Sequence, residues 1–180
     1  MIIKPTDLEC LEMCREHLAY EIQMLNHCAL QIDGTESLMQ NLYIEGFALH
    51  LRNVIGFLYS DPQQDDLCAN HLFASGTWQT IRGDKSDIIK DAEYRAHKQM
   101  THITLFRLRK QRFEISEIIN ALVPVLMAFL NSARQDLIHP ELRRQVESLR
   151  RTTAHVSVFS GTTSTTTSYS GDLPITRKLE

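Results

Sequence analysis

The stretch Ser37-Leu38-Met39-Gln40-Asn41-Leu42-Tyr43-Ile44-Glu45-Gly46-Phe47-Ala48-Leu49-His50-Leu51-Arg52-Asn53-Val54-Ile55-Gly56-Phe57-Leu58-Tyr59 decides the fold. It contains no proline, and Ser37 with Gln40 three residues on resembles a capping box. It is apolar on most sides, interrupted by Glu45, His50, Arg52 and Asn53. A helix that is apolar nearly all round belongs in the centre of a bundle, because it has no polar face to turn to water. Ser60-Asp61-Pro62 ends it, since proline disfavours helical geometry in the residue before it.

Upstream, Thr6-Asp7-Leu8-Glu9 is a capping box, and Leu8, Leu11, Leu18, Ile22, Leu25 and Ala29 follow at nearly helical spacing. They predict a first long helix to about Gln31, stopped by Asp33-Gly34. Downstream, a short helix is expected over 65–73, then a loop over 76–86 that Trp78 pins to the bundle. A third long helix is expected from Asp87 to about Lys110 and a fourth from Glu114 to about Arg134, kinked but not ended by Pro124. His139-Pro140 opens a last short helix to about Arg151. The fold class expected is therefore all-α: an antiparallel bundle of four long helices plus short helices over 1–151. A flexible Ser/Thr-rich tail over 152–180, poor in core-forming residues, follows it.

The 180 residues include only 7 Gly and 5 Pro, which fits long uninterrupted elements and one core. The longest apolar stretch, Ala121 to Leu130, is about half a bilayer span and contains Pro124, so no membrane partner is expected. The N-terminus lacks the basic and apolar regions of a signal peptide, so a cytoplasmic location is expected. Cys10, Cys14, Cys28 and Cys68 form no CxxC pattern and read as reduced, packed thiols. Cys10, Cys14 and His17 share one face of an ideal helix, but the outer two stand ~10 Å apart and cannot hold one ion. With no Gly-rich phosphate loop, GxSxG, HExxH or Glu-x-x-His pair, neither metal nor cofactor is expected.

Charge is distributed unevenly. From Met1 to Asp66 there are 3 basic and 11 acidic residues, whereas Arg95, Lys98, Arg107, Arg109, Lys110 and Arg112 form a strip without an acid among them. Such a strip can bind phosphate or face an acidic protein surface. Within it, Arg95 and His102 lie seven residues apart, on one face if the helix is continuous, while His97 points to the other side. An arginine to hold phosphate and a histidine titrating near neutrality suffice to cleave RNA, whose 2′-hydroxyl is the internal nucleophile.

Arg95-x6-His102 resembles the R-x4-6-H pattern of the HEPN superfamily. The blocks Phe47 to Leu58, Asp65-Asp66 and Arg95 to Thr104 are also similar to a set of bacterial helical proteins, over about Leu42 to Arg107. The pattern departs from the family in having Ala96 after the arginine and Thr104 two residues after the histidine. The resemblance implies a metal-independent endoribonuclease of a toxin or anti-phage defence system, a homodimer, and an antitoxin or other protein partner. His102 would be its general acid/base, Arg95 its phosphate clamp and His97 the reserve.

Glu45, Arg52 and Asn53 would orient that pair from the second long helix, or else satisfy a buried ion pair; His50 could join either network. Lys98, Arg107, Arg109, Lys110 and Arg112 would bind RNA backbone, or solvate the helix end. Two rival readings stay open. One is a non-catalytic interaction or scaffolding module; the other is a bundle with an apolar pocket lined by Phe47, Leu51, Met100 and Phe106.

Overall fold

The computed structural model describes residues 4–32, 37–61, 63, 66–100 and 113–159, and the regular structure among them is all helical. The first capping box forms as expected. Glu9 N–H donates to Thr6 Oγ1 at 3.2 Å and Thr6 N–H to Glu9 Oε2 at 2.7 Å, which starts α1 (Asp7–Glu12). The chain winds on through a π-helical stretch, Met13–Leu18, into α2 (Ala19–Gln31). The wider i→i+5 winding shifts the register. Cys10 and Cys14 are buried, whereas His17, expected on their face, is exposed and Leu18 takes the inward position.

The central helix is α3 (Ser37–Tyr59). Of the expected second capping box, Gln40 Nε2 donates to the Ile32 carbonyl at 3.1 Å, at the end of α2. Over 65–73, a 3₁₀ turn at Ala69–Leu72 is the helical part among the described residues. The loop expected over 76–86 is a misreading, because α4 (Thr77–Arg82) lies within it. Gly76 at φ 76° and Gly83 at φ 62° bracket α4 in the left-handed conformations that glycine adopts without strain. Trp78 does pin this segment, and it is fully buried.

Ser86 Oγ accepts from Ile89 N–H at 3.3 Å and opens α5 (Asp87–Arg95), which widens into a second π-helical stretch, Ala96–Met100. The rest of the expected third helix, 101–112, lies outside the described residues. As expected, α6 (Ile115–Ser132) runs through Pro124. By length and composition α6 could cross a membrane, yet Ile118, Ile119, Leu122, Val123, Leu126, Phe129 and Leu130 are buried within the protein.

The last helix, α7 (Pro140–Phe159), passes the end expected near Arg151 and overlaps the expected tail. Thr152 explains the continuation. Its hydroxyl donates to Asn26 Oδ1 at 2.7 Å and lies 3.3 Å from the Ser148 carbonyl, while Asn26 Nδ2 donates to Ser148 Oγ at 3.0 Å. The buried hydroxyl is satisfied by Asn26 of α2, so tertiary contacts hold α7 in place beyond Arg151. The remaining tail residues, 160–180, lie outside the described residues.

The core gathers where α2 packs on α3 and α7, and α6 on α7 and α5. Arg134 closes the N-terminal end, donating to both Asp7 carboxylate oxygens at 2.8 Å and to Asp136 at 2.7 Å.

Candidate functional site

The C-terminal half of α3 divides its residues between two surroundings. Leu51, Val54, Ile55 and Leu58 are buried in the core, as helical spacing dictates. Arg52, Gly56 and Ser60, at steps of four, and Asn53 beside them face an open groove of about 440 Å³. Phe57, Asp66, Leu67 and Cys68 line it as well, with Glu93 from α5 and His97 from the Ala96–Met100 stretch. Gly56 keeps the floor low, since the nearest atom to a Cβ built there is Ser60 Oγ at 4.0 Å.

Several of these side chains are held. Asn53 Nδ2 donates to Glu21 Oε2 at 3.1 Å, and the same oxygen lies 2.7 Å from His50 Nδ1. The Tyr20 ring meets His50 edge-on at 5.7 Å, so α2 fixes this face of α3. Glu93 carries Lys85 Nζ at 2.6 Å. Arg52 is exposed and forms no ion pair with another described residue.

At one edge Cys68 N–H donates to His71 Nδ1 at 3.2 Å, with the Cys68 thiol 3.8 Å from that nitrogen. Burial pushes the Cys68 thiol up and the His71 imidazole down, so both favour their neutral forms. This pair is not an activated nucleophile and base, because a nucleophilic cysteine needs its thiolate stabilised. The other three cysteines are buried and free, and burial pushes Cys14 up to about 12.

Of the residues singled out by sequence, the structure brings Arg52, Asn53 and His97 together on the groove. Glu45 is exposed and lies outside it. Arg95 also lies outside; its side chain is 19% exposed and forms an ion pair with Asp91 at 2.6 Å. Lys98 is half-buried beyond the groove lining. His102, Arg107, Arg109, Lys110 and Arg112 lie outside the described residues.

The expected shared face of Arg95 and His102 assumed a continuous α-helix. Over Ala96–Met100 the stretch that follows Arg95 is π-helical, where each residue turns through a smaller angle, and His102 lies outside the described residues. Phe47 and Leu51, expected to line an apolar pocket, are fully buried in the core.

Sequence reasoning missed Glu21, Ser60, Leu67, Cys68 and Glu93. The four-residue steps Arg52-Gly56-Ser60 and Glu93-His97 would have pointed to two facing polar rows. Glu21 and Cys68 carry no comparable signal, because their placement depends on tertiary packing.

Chemically, the groove offers the guanidinium of Arg52 and the amide of Asn53 from α3, the His97 imidazole and the Glu93 carboxylate from the facing element, and the Asp66 carboxylate from the connector. Among the described residues no group of three His, Cys, Asp or Glu could hold a metal ion. No protein-family model matches the chain, and comparisons with curated proteins and with solved structures find no match.

Proposed function

We propose that the chain is a HEPN-like helical protein acting on RNA, a metal-independent endoribonuclease of a toxin or anti-phage defence system, with its site in the groove between α3 and Ala96–Met100. One observation carries this reading: the three blocks in which the resemblance lies converge there. Phe47 to Leu58 supplies Arg52, Asn53, Gly56 and Phe57, Asp65-Asp66 supplies Asp66, and Arg95 to Thr104 supplies His97.

In this account His97, not Arg95 with His102, is the leading catalytic residue. The His97 imidazole takes the proton of the ribose 2′-hydroxyl, the 2′-oxygen bonds to phosphorus, and the bond from phosphorus to the 5′-oxygen breaks. The leaving oxygen takes a proton from His102 or water. Arg52 clamps the phosphate, and Asn53, held by Glu21, orients it. Lys98, Arg107, Arg109, Lys110 and Arg112 carry the RNA backbone.

The assembly belonging to this reading is an antiparallel bundle of four long helices, a cytoplasmic homodimer with an antitoxin or other protein partner. The second reading, a non-catalytic interaction module, is favoured by the Arg95–Asp91 ion pair, which occupies the arginine within its own helix.

The test is incubation with labelled single-stranded RNA and EDTA. Cutting should fall by ~10²–10⁴-fold in His97→Ala, and clearly in Arg52→Ala, with Arg95→Ala and His102→Ala as comparisons. Undiminished cutting by His97→Ala overturns the assignment, and no cutting by the folded wild type transfers it to the interaction module.

A further inference from the structure

Toward its N-terminal half, α3 carries a face that nothing described covers. Leu38, Leu42 and Leu49 are 71%, 52% and 50% exposed, and Glu45 and Arg52 on the same face are exposed too. The five residues follow steps of four, three, four and three. That is the seam spacing of a helix packed against another helix along its length. Large apolar side chains repeated at this spacing are not the scattered exposure expected of any surface.

Glu45 and Arg52 identify the occupant. They sit two turns apart, about 10 Å along the axis, too far to pair with each other. Neither forms an ion pair with another described residue. Their midpoint falls between Ala48 and Leu49. A two-fold axis near that point makes the seam self-complementary, with each Glu45 approaching the other copy's Arg52 while Leu42 and Leu49 pack across the axis.

We infer that α3 forms the homodimer interface, crossing α3 of a second copy in antiparallel fashion about Leu49. The inference rests on the homodimer of the preceding reading, and is independent of its RNA chemistry. Because Arg52 and Gly56 also border the groove, each groove opens beside this interface. With five donors, the Arg52 guanidinium can hold the other copy's carboxylate on one edge and face the groove with the other.

The experiment is the mass of the full chain by light scattering, with circular dichroism as a check on folding. Wild type should be a dimer. Leu42→Glu with Leu49→Glu should give a folded monomer, since both side chains are exposed in the single chain. Glu45→Arg and Arg52→Glu should each weaken the dimer by placing like charges across the axis, and the two together should restore it. A monomeric wild type overturns the inference and leaves the seam to a different protein. A dimer indifferent to the leucine changes overturns it by placing the interface elsewhere, and failure of the charge exchange to restore association overturns the antiparallel pairing. Since the readout is mass, its outcome leaves the cleavage test standing, and the converse holds.

Discussion

The C-terminal half of α3 borders two corners that are built in opposite ways. On one side Trp78 is fully buried, its Nε1–H donates to the Leu58 carbonyl at 2.6 Å, and its ring stacks on Phe73 at 5.1 Å and meets Phe129 edge-on at 5.6 Å. On the other side Arg52, Asn53, Ser60 and His97 stay exposed around an open groove. Phe57 belongs to both, lining the groove while meeting Phe129 edge-on at 5.4 Å. The first corner removes apolar area from water and satisfies its one polar group, which is how a fold gains stability. The second leaves polar groups solvated, where they contribute little to stability and remain open to a ligand.

The largest effect should come from Trp78→Ala. It empties an aromatic site and strips the donor from Leu58, whose carbonyl lies in the last turn of α3 and has no partner within the helix. A loss of about 3–5 kcal/mol is expected from urea unfolding. Arg52→Ala and His97→Ala, measured in the same way, should stay within about 0.5 kcal/mol of wild type. Comparable losses at both corners would make the groove residues structural and remove the contrast.

The two corners were unequally legible in the sequence. Trp78 announces an anchor by its type, and the apolar perimeter of Ser37–Tyr59 announces a buried helix, because burial follows directly from side-chain chemistry and helical period. The two π-helical stretches were hidden. An inserted residue changes which side chains face inward without changing composition, which is why His17 turns outward. The groove required α3, the 66–68 connector and α5 to meet, and local pattern does not encode that meeting. The seam on α3 is half visible: Glu45 and Arg52, seven residues apart, share a face of an ideal helix, but their exposure depends on what α2 and α5 leave uncovered.

A second contrast within α3 gives a smaller effect. A Cβ on Gly46 would lie 2.8 Å from Cys28 Sγ, in the close approach of α2 to α3. Cys28 is buried and has little room to give way, so Gly46→Ala should cost about 1–3 kcal/mol by thermal unfolding. Gly56 faces the groove, where an added methyl meets only ordinary contact. Gly56→Ala should therefore be neutral or stabilising by up to about 1 kcal/mol, the ordinary helical gain over glycine. If Gly56→Ala also cuts RNA more weakly, fold and groove function are separated at a single methyl group.

The smallest effect concerns the connector that joins the two corners. Burial lowers the His71 pKa from its ordinary 6.5, and its Nδ1 accepts from Cys68 N–H at 3.2 Å, so protonation there removes an acceptor from a buried residue. The unfolded chain then binds the proton more readily than the folded one. The stabilising contribution is present above about pH 6.5 and is lost as pH falls through that value and the lower folded one. The paired carboxylates Asp7, Glu9 and Glu141 are lowered as well, and their contributions fade only in the more acidic carboxylate range. The thermal midpoint of wild type should therefore decline between about pH 7 and about pH 5, ahead of the carboxylate transition. His71→Asn keeps a side-chain acceptor and does not titrate, so it should flatten that decline. An unchanged slope in the variant would assign the decline to another histidine and leave the connector without a part in it.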